Sequence, residues 1–294
     1  STQSRSSAAS DVYKRQKAYD SWKSAVTVYN HNAPEAVAVQ CDLLSKDGYD
    51  RVVTDCRRLG DLDLLAVGPP CKGFSQLVNG NHDAANPHNQ VLEAIPSYVA
   101  RLRPRLVFIE NVPGLIRHAN GRTFSDLIKR LHAPGPRRLH YRVEYHVYDA
   151  SLYGTPQSRR RILVLAVRNG DEHLPQPGPD LSPLYAAIRH GHEISKEFRH
   201  YVRIMKDESD PRIVSARQAL SDLPRLGPGC GEETRPYSSP PRTAYQKIMR
   251  LDAPAYLSST RTPAVQDDTI ERLRHIPPGA VSYTHLTLPT IYSV

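Results

Sequence analysis

The apolar positions of the first 170 residues follow periods that predict helices and strands in turn. Spacing of three and four residues predicts helices over residues 18–32, 90–102 and 123–131. Short apolar runs predict strands over residues 36–41, 62–67, 106–109 and 162–167. The run at 62–67 is nearly continuous, which is typical of a strand buried in a parallel sheet. This alternation favours a doubly wound α/β sheet with right-handed crossovers.

Residues 141–147 have a different period, in which apolar and polar residues alternate. A period of two predicts a strand with one exposed face. The sequence YGTP at 153–156 predicts a turn between this strand and the strand at 162–167. We therefore expect these two strands to form an antiparallel pair.

The composition changes after Gly170, because prolines cluster in the part that follows. We expect a catalytic domain over residues 17–170 and a loop-rich second region over 171–280. Residues 1–16 and 281–294 resemble translated sequencing-adapter read-through, and the second of these segments contains no Asp, Glu, Lys or Arg. We interpret both ends as artefacts. The alternative is a natural disordered head and a β-prone tail.

The charge of the chain narrows the choice of partner. A formal net charge of +9 favours a polyanion. The four cysteines contain no C-x-x-C pair, so neither a zinc site nor a disulfide framework is expected. No run reaches the roughly 18 apolar residues of a membrane span, and no signal-peptide centre is visible. These features predict a soluble, cytoplasmic protein without a metal site.

The segment GPPCKGFS at 68–75 is the first with catalytic chemistry, because Cys71 follows two prolines at the end of a predicted strand. The prolines restrict the backbone, so the thiol is presented on a stiff turn. A cysteine attacks as its thiolate, which the positive charge of Lys72 favours. An inert, buried cysteine is the alternative. The polar loop at 78–89 is able to close over a substrate and favours the nucleophile.

Two further motifs place ionisable groups near predicted strand ends. Glu110 follows the strand at 106–109, where a carboxyl group is able to protonate a heterocyclic nitrogen. Its alternative is a helix cap or an ion pair with a lysine. On an extended segment, Arg159 and Arg161 lie on one side and Arg160 on the other. A guanidinium stabilises negative charge on a ring oxygen, and a phosphate-binding hairpin is the alternative.

In their order and spacing, the motifs PPC, ENV and QSRRR resemble those of DNA (cytosine-5) methyltransferases, over residues 17–170. The resemblance implies an α/β fold with a Rossmann-like, S-adenosylmethionine-dependent methyltransferase sheet and a smaller, loop-rich target-recognition region that is incomplete here. It implies a monomer that methylates carbon 5 of cytosine in double-stranded DNA, as in restriction–modification systems. It assigns attack on carbon 6 of a flipped-out base to Cys71, the contact with ring nitrogen 3 to Glu110 and the contact with oxygen 2 to Arg161. Arg159 is a supporting residue.

The same resemblance assigns residues to S-adenosyl-L-methionine. Asp20 resembles the acidic residue that binds the ribose hydroxyls, and Asp42 resembles the aspartate that meets the adenine amine. Trp22 and Pro70 belong to the same cofactor site. Each aspartate has an ordinary alternative as a carboxylate at a helix or strand end. Two other acidic residues compete with Asp42 for its role, namely Asp55 and Asp61.

The chain departs from the family's pattern in three respects. It contains no Phe-x-Gly-x-Gly turn before Asp20, and the family's Arg-Glu-containing and final Asn-containing motifs are absent. Lys72 stands where the family usually has Gln or Asn. We therefore expect an active parent enzyme and an inactive chain. The alternatives are a transfer-RNA cytosine-5 methyltransferase, which the GFS tripeptide at 73–75 disfavours, and a non-catalytic DNA-binding remnant.

Overall fold

The computed structural model describes residues 16–33, 36–70, 89–135, 139–169, 213–251 and 253–275. The chain divides into two compact units, Ser1–Ile213 and Val214–Val294. The predicted boundary near residue 171 and both predicted artefact segments lie outside the described residues, apart from residue 16, and these assignments stay predictions.

Two β-sheets form the frame of the first unit. Its strands are β1 (Lys17–Asp20), β2 (Val37–Gln40), β3 (Leu64–Val67), β4 (Leu106–Asn111), β5 (Tyr141–Asp149) and β6 (Arg160–Arg168). Strands β1 and β2 pair in parallel. The other four follow the order β3-β4-β6-β5, in which β3 and β4 are parallel and β6 is antiparallel to both of its neighbours. The predicted antiparallel pair is therefore confirmed, and the larger sheet is mixed.

In the described residues of this unit, four α-helices accompany these strands. They are α1 (Lys23–Asn32), α2 (Lys46–Leu59), α3 (Gln90–Leu102) and α4 (Arg122–His132). Short 3₁₀ helices at Pro113–Ile116, His118–Gly121 and Ala150–Tyr153 complete the connections. The helices predicted over 90–102 and 123–131 are confirmed.

The core of the first unit lies between α3, α4 and the four-stranded sheet. The apolar faces of the two helices cover the buried positions of β4, β5 and β6. Its most deeply buried side chains include Val99, Val107, Leu131 and Ile162. Phe124 also meets the ring of Tyr145 edge-on, at a centroid distance of 4.9 Å. This packing fixes β4 and β6 side by side, and both candidate catalytic motifs that the structure describes lie on those two strands.

The helix predicted over residues 18–32 is wrong in its first third. Residues 17–20 form β1, because their backbone pairs in parallel with β2, and the helix begins only at Lys23. The carboxylate of Asp20 accepts a hydrogen bond from the backbone N–H of Trp22 at 2.7 Å, which turns the chain between strand and helix. Trp22 lies outside the helix and is 68% exposed. The sequence period misled here because tertiary strand pairing overrode it.

The strand predicted over residues 62–67 exists, but its predicted burial is wrong. Leu64 is 49% exposed and Ala66 is also exposed. Among the described strands, β3 has a single neighbour, β4, so it forms an edge of that sheet. An apolar run indicates a buried strand only where layers cover both of its faces.

Helix α2 is an element that the apolar period does not predict. Ser45 caps its start by accepting a hydrogen bond from the backbone N–H of Gly48 at 3.0 Å. Gly60 ends it with φ at +97°, a conformation that favours glycine. Val52 and Val53 supply its buried apolar positions. A serine cap and a terminal glycine were the available sequence signals.

The described part of the second unit consists of short elements held by polar contacts. They are α5 (Ala216–Leu220), β7 (Arg235–Pro236), α6 (Ala244–Met249), β8 (Tyr256–Leu257) and α7 (Asp267–Arg274). Gln246 is 2% exposed, and its amide oxygen accepts the backbone N–H of Arg242 at 2.8 Å. Asp222, also buried, pairs with Arg250 at 3.1 Å. Among the described residues of this unit, buried polar side chains outnumber buried apolar ones, and each of the two named above has a hydrogen-bond or ion-pair partner.

Candidate active site

The carboxylate of Glu110 and the guanidinium of Arg161 form an ion pair. Glu110 is the penultimate residue of β4, and Arg161 lies one residue after the start of β6. Since β4 and β6 are antiparallel, the end of one strand lies beside the start of the other. The side chain of Glu110 is 41% exposed and that of Arg161 is 21% exposed. Both groups therefore remain accessible to a ligand at this edge of the sheet.

The backbone that leads to Cys71 lies against the same strand end. Strands β3 and β4 are parallel, so Gly68, just after β3, comes beside Glu110. A Cβ atom on Gly68 would lie 4.0 Å from the Oε2 atom of Glu110. The Nδ2 atom of Asn111 donates a hydrogen bond to the carbonyl oxygen of Pro69 at 3.4 Å. Pro70 follows as an exposed residue.

Cys71 itself and Lys72 lie outside the described residues. Asn111 is 2% exposed, and its Oδ1 atom accepts the backbone N–H of Val112 at 2.8 Å. Its amide is thus held on one side by its own strand and on the other by Pro69. Asn111 therefore holds the backbone at Pro69, two residues before Cys71.

The other two arginines of the QSRRR motif have different surroundings. The Nε atom of Arg160 lies 3.5 Å from the Oδ2 atom of Asp149, the last residue of β5. Arg159 is exposed, and its backbone N–H donates to the Oδ1 atom of Asp149 at 3.1 Å. Gln157 is exposed, and its backbone N–H bonds the carbonyl oxygen of Thr155 at 2.7 Å. Arg160 and Arg161 thus face two different carboxylates.

Three of the four residues assigned to the cofactor, Asp20, Trp22 and Asp42, lie at or just after the carboxyl ends of β1 and β2, whereas Pro70 follows β3. Asp20 ends β1, and its carbonyl oxygen accepts the backbone N–H of Cys41 at 2.9 Å. Asp42 lies two residues after the end of β2, and its Oδ1 atom accepts a hydrogen bond from the backbone N–H of Leu44 at 3.0 Å. Asp20, Asp42 and the indole of Trp22 are all exposed. Two carboxylates and a flat aromatic ring therefore share one strand-end surface.

Asp55, a competitor for the adenine contact, is engaged inside the fold. Its Oδ2 atom lies 3.0 Å from the Nζ atom of Lys17 and accepts the hydroxyl of Tyr19 at 3.2 Å. The hydrogen bond from Lys17 is the largest cause that holds the pKa of Asp55 below its ordinary value. These contacts join α2 to β1, whereas Asp42 and the other competitor, Asp61, are both exposed.

Two other thiols in this unit are poor nucleophiles. Burial raises the pKa of Cys41 and that of Cys56. Because the thiolate is the attacking form, a raised pKa lowers the reactivity of both at neutral pH.

In the described ranges, no group of three or more His, Cys, Asp or Glu side chains could hold a metal ion. The helices of those ranges are also too short or too polar to cross a membrane.

Sequence reasoning missed the contacts of two residues. Asn111 is the middle residue of the ENV motif, and the sequence does not show that its side chain holds Pro69. Asp149 was not identified, although its carboxylate receives Arg159 and Arg160. The spacing of Asp149 and Ser151 is typical of a side-chain turn and was the available signal.

A mixed α/β sheet thus gathers an acid, an arginine and the backbone that precedes Cys71 at its strand ends, where α/β sheets bind ligands. The family model for C-5 cytosine-specific DNA methylases matches residues 8–226. The chain belongs to this family.

Curated relatives agree with the family match. The chain is 29% identical to the type II methyltransferase M.AgeI of Thalassovita gelatinovora over 236 residues, which are 77% of this chain and 50% of that protein. It is 26% identical to DNA (cytosine-5)-methyltransferase 1 of Mus musculus over 284 residues, 90% of this chain and 17% of the relative. The chain thus spans half of the length of the first relative and a smaller share of the second.

A solved structure shows a similar fold. A candidate DNA modification methyltransferase encoded within a prophage (E. coli) aligns with a TM-score of 0.58 at 18% identity, covering 92% of this chain and 72% of that chain. This likeness shows that the two chains share a fold.

Proposed function

We propose that the parent enzyme, which is expected above to be active, methylates carbon 5 of cytosine in double-stranded DNA through a covalent adduct with Cys71. The activity measurements described below are made on that enzyme. The observation that carries the proposal is the pairing of Glu110 with Arg161 beside the stem of the Cys71 loop. Nitrogen 3 and oxygen 2 of cytosine are attached to the same ring carbon. An acid and a guanidinium that lie side by side therefore match these two atoms of the base. During attack by the thiolate, nitrogen 3 gains a proton and oxygen 2 gains negative charge.

The chemistry divides among three side chains. The Cys71 thiolate donates its electron pair to carbon 6 and forms a carbon–sulfur bond. The displaced ring electrons make carbon 5 nucleophilic while Glu110 supplies a proton to nitrogen 3. Arg161 stabilises the charge that develops on oxygen 2. After carbon 5 has gained a methyl group, it loses its proton to a base, the carbon–sulfur bond breaks, and the thiolate leaves. Nitrogen 3 then returns its proton to Glu110, which restores both the neutral base and the acid.

The thiol cannot reach carbon 6 within a stacked duplex, so the base must leave the helix. The positive formal charge of the chain, +9, favours the DNA backbone as its partner. Arg159 is exposed next to the pair and is a candidate for supporting the base or its phosphate. In the cell, the protein would act in the cytoplasm, where bacterial DNA is accessible.

The cofactor of this family is S-adenosylmethionine, which supplies the electrophilic methyl group when it is bound. The residues present fit its adenosine half. Asp20 offers an acceptor for ribose hydroxyls and Asp42 an acceptor for the adenine amine, while the exposed ring of Trp22 offers a stacking surface. All three lie at the carboxyl ends of β1 and β2, where open α/β sheets bind ligands.

A trapping experiment tests the proposal. Duplex DNA with 5-fluorocytosine at the target should form a stable adduct with the protein in the presence of S-adenosylmethionine, because the fluorine at carbon 5 cannot leave as a proton. Cys71→Ser should abolish the adduct, whereas Cys56→Ser, which removes a thiol in the same unit, should retain it. Peptide mass spectrometry identifies the modified residue. An adduct on another cysteine, or one formed with RNA and not with DNA, would overturn the proposal.

A further inference from the structure

Asp149 is a fully buried carboxylate at the end of β5, with a side-chain exposure of 0%. It stands opposite Arg160, the first residue of β6, in the register of the antiparallel pair. Residues 150–159, here called the hairpin loop, connect the two strands. Asp149 therefore lies where this loop leaves one strand and enters the next.

The carboxylate is held at both ends of the hairpin loop. Its Oδ1 atom accepts the backbone N–H of Ser151 at 3.1 Å and the hydroxyl of the same residue at 2.8 Å. The same oxygen accepts the backbone N–H of Arg159 at 3.1 Å. Its Oδ2 atom accepts the hydroxyl of Ser158 at 3.1 Å and faces the Nε atom of Arg160. One side chain thus joins the first and the last residues of the loop.

These contacts bear directly on the start of β6. Arg161, which pairs with Glu110, lies two residues after the backbone N–H that Asp149 holds. The carbonyl oxygen of Arg159 is also fixed, by the backbone N–H of Ala150 at 3.0 Å. Without the carboxylate, the N–H and hydroxyl groups that now donate to it would lose their buried acceptor. The backbone would then shift so that these groups could form hydrogen bonds with water. The backbone that carries Arg161 would shift with it.

We propose that Asp149 is a positioning residue for the arginine motif: its buried carboxylate closes the hairpin loop and thereby sets the place of Arg161 beside Glu110. It acts through the backbone and touches neither base nor cofactor. The inference rests on the function proposed above for Arg161. The structural part of the inference, that Asp149 closes the hairpin loop, is independent of that proposed function.

The first measurement is amide hydrogen exchange of the full chain, followed by mass spectrometry. Asp149→Ala should increase exchange in peptides that cover residues 150–161, while peptides from α3 keep their protection. Asp149→Asn should largely restore it, because the amide oxygen still accepts the N–H groups of Ser151 and Arg159. Asp222→Ala is the matched control, since it removes another buried carboxylate, one that pairs with Arg250 in the second unit. It should leave the hairpin loop protected.

The second measurement is the release of tritium from carbon 5 of cytosine in DNA. This release reports on addition of the thiolate to carbon 6 and its later elimination. Asp149→Ala should slow release by about 10²-fold, the scale of a displacement of about 1 Å at a reacting group. The KM for S-adenosylmethionine in methyl transfer should stay unchanged. Asp149→Asn should recover most of the rate, which a general loss of folding would not produce.

The outcomes separate the two proposals. Unchanged exchange of the hairpin loop in Asp149→Ala overturns the inference, whatever the activity. If the loop opens but Arg161→Ala does not slow tritium release, the proposed function fails and the loop-closing role stands. If Asp149→Ala does not fold, Ser158→Ala takes its place, because it removes one donor only. It should show a smaller increase in exchange in the same peptides, and no increase would overturn the inference.

Discussion

The guanidinium of Arg161 is paired with the carboxylate of Glu110 across the antiparallel strands β6 and β4. The two residues come from motifs that are far apart in the chain, and no other described strand separates β4 from β6. A cytosine that presents nitrogen 3 and oxygen 2 to this edge of the sheet meets both groups at once. The pair thus explains why the acid and the arginine should depend on one another.

Glu110→Gln and Arg161→Ala should each lower the methylation rate by roughly 10²-fold, the usual scale for removing an acid or a donor to developing charge. Binding to duplex DNA, measured by fluorescence anisotropy, should change little. Because the two side chains contact each other, the double variant should be less impaired than the product of the single effects. Strictly multiplicative effects would show that the two groups act independently.

Arg160→Ala should affect binding more than chemistry. Its guanidinium lies near Asp149 but is 42% exposed, so it is able to contact phosphate at the same time. Loss of one phosphate contact should reduce the slope of log affinity against log salt concentration by about 1. The rate at saturating DNA should fall less than in Arg161→Ala. An unchanged salt slope would leave Arg160 with a structural role beside Asp149.

Asn111→Ala should loosen the stem of the Cys71 loop. The variant loses the hydrogen bond to the carbonyl oxygen of Pro69, and the free energy of unfolding should fall by about 1–3 kcal/mol, the cost of a buried group left without its partner. The rate of adduct formation with 5-fluorocytosine DNA should fall as well.

Asn30→Ala is the control for Asn111→Ala. The Asn30 amide also holds backbone, since it bonds both the N–H and the carbonyl oxygen of Ala38 at 2.7 and 3.0 Å. Its loss should lower stability, as measured by urea denaturation, without a selective loss of adduct formation. Equal rates of adduct formation for the two variants would show that the link from Asn111 to Pro69 does not position the cysteine.

Asp55→Asn should lower stability at neutral pH and not at acid pH. Lys17 and Tyr19 hold the pKa of Asp55 below its ordinary value, with the bond from Lys17 as the largest cause, although burial acts in the opposite direction. A lowered pKa in the folded state stabilises the fold above the unfolded pKa of about 4. This contribution of Asp55 to the free energy of unfolding is lost as the pH falls from about 4 through the lower pKa of the folded state.

Urea denaturation at pH 7 and near pH 3, roughly one unit below the ordinary aspartate pKa, measures this difference. The gap between wild type and Asp55→Asn should be larger at neutral pH and should narrow in acid. Asp47→Asn is a suitable control, because Asp47 is an exposed carboxylate on the same helix. A gap for Asp55→Asn that is independent of pH would show that the ion pair with Lys17 contributes nothing through ionisation.

Some predictions came directly from local sequence. The apolar faces of α3 and α4 and the pairing of β5 with β6 follow from periods of 3.6 and 2, which act over a few residues. Helix α2 was missed because its signals are a cap and a terminal glycine rather than an apolar face. The strand at 17–20 was taken for helix because its partner, β2, is supplied by another segment.

The sequence by itself determined the order of the motifs, the periods of the main elements and the chemical types of the candidate side chains. These are properties of the chain that do not depend on contacts. Only the tertiary structure decided that Glu110 meets Arg161, that Asn111 holds Pro69 and that Asp149 closes the loop before Arg161. Each of these contacts joins residues from different strands or turns. Their distances depend on how the sheet packs, because residues far apart in the sequence become neighbours only when their strands pair.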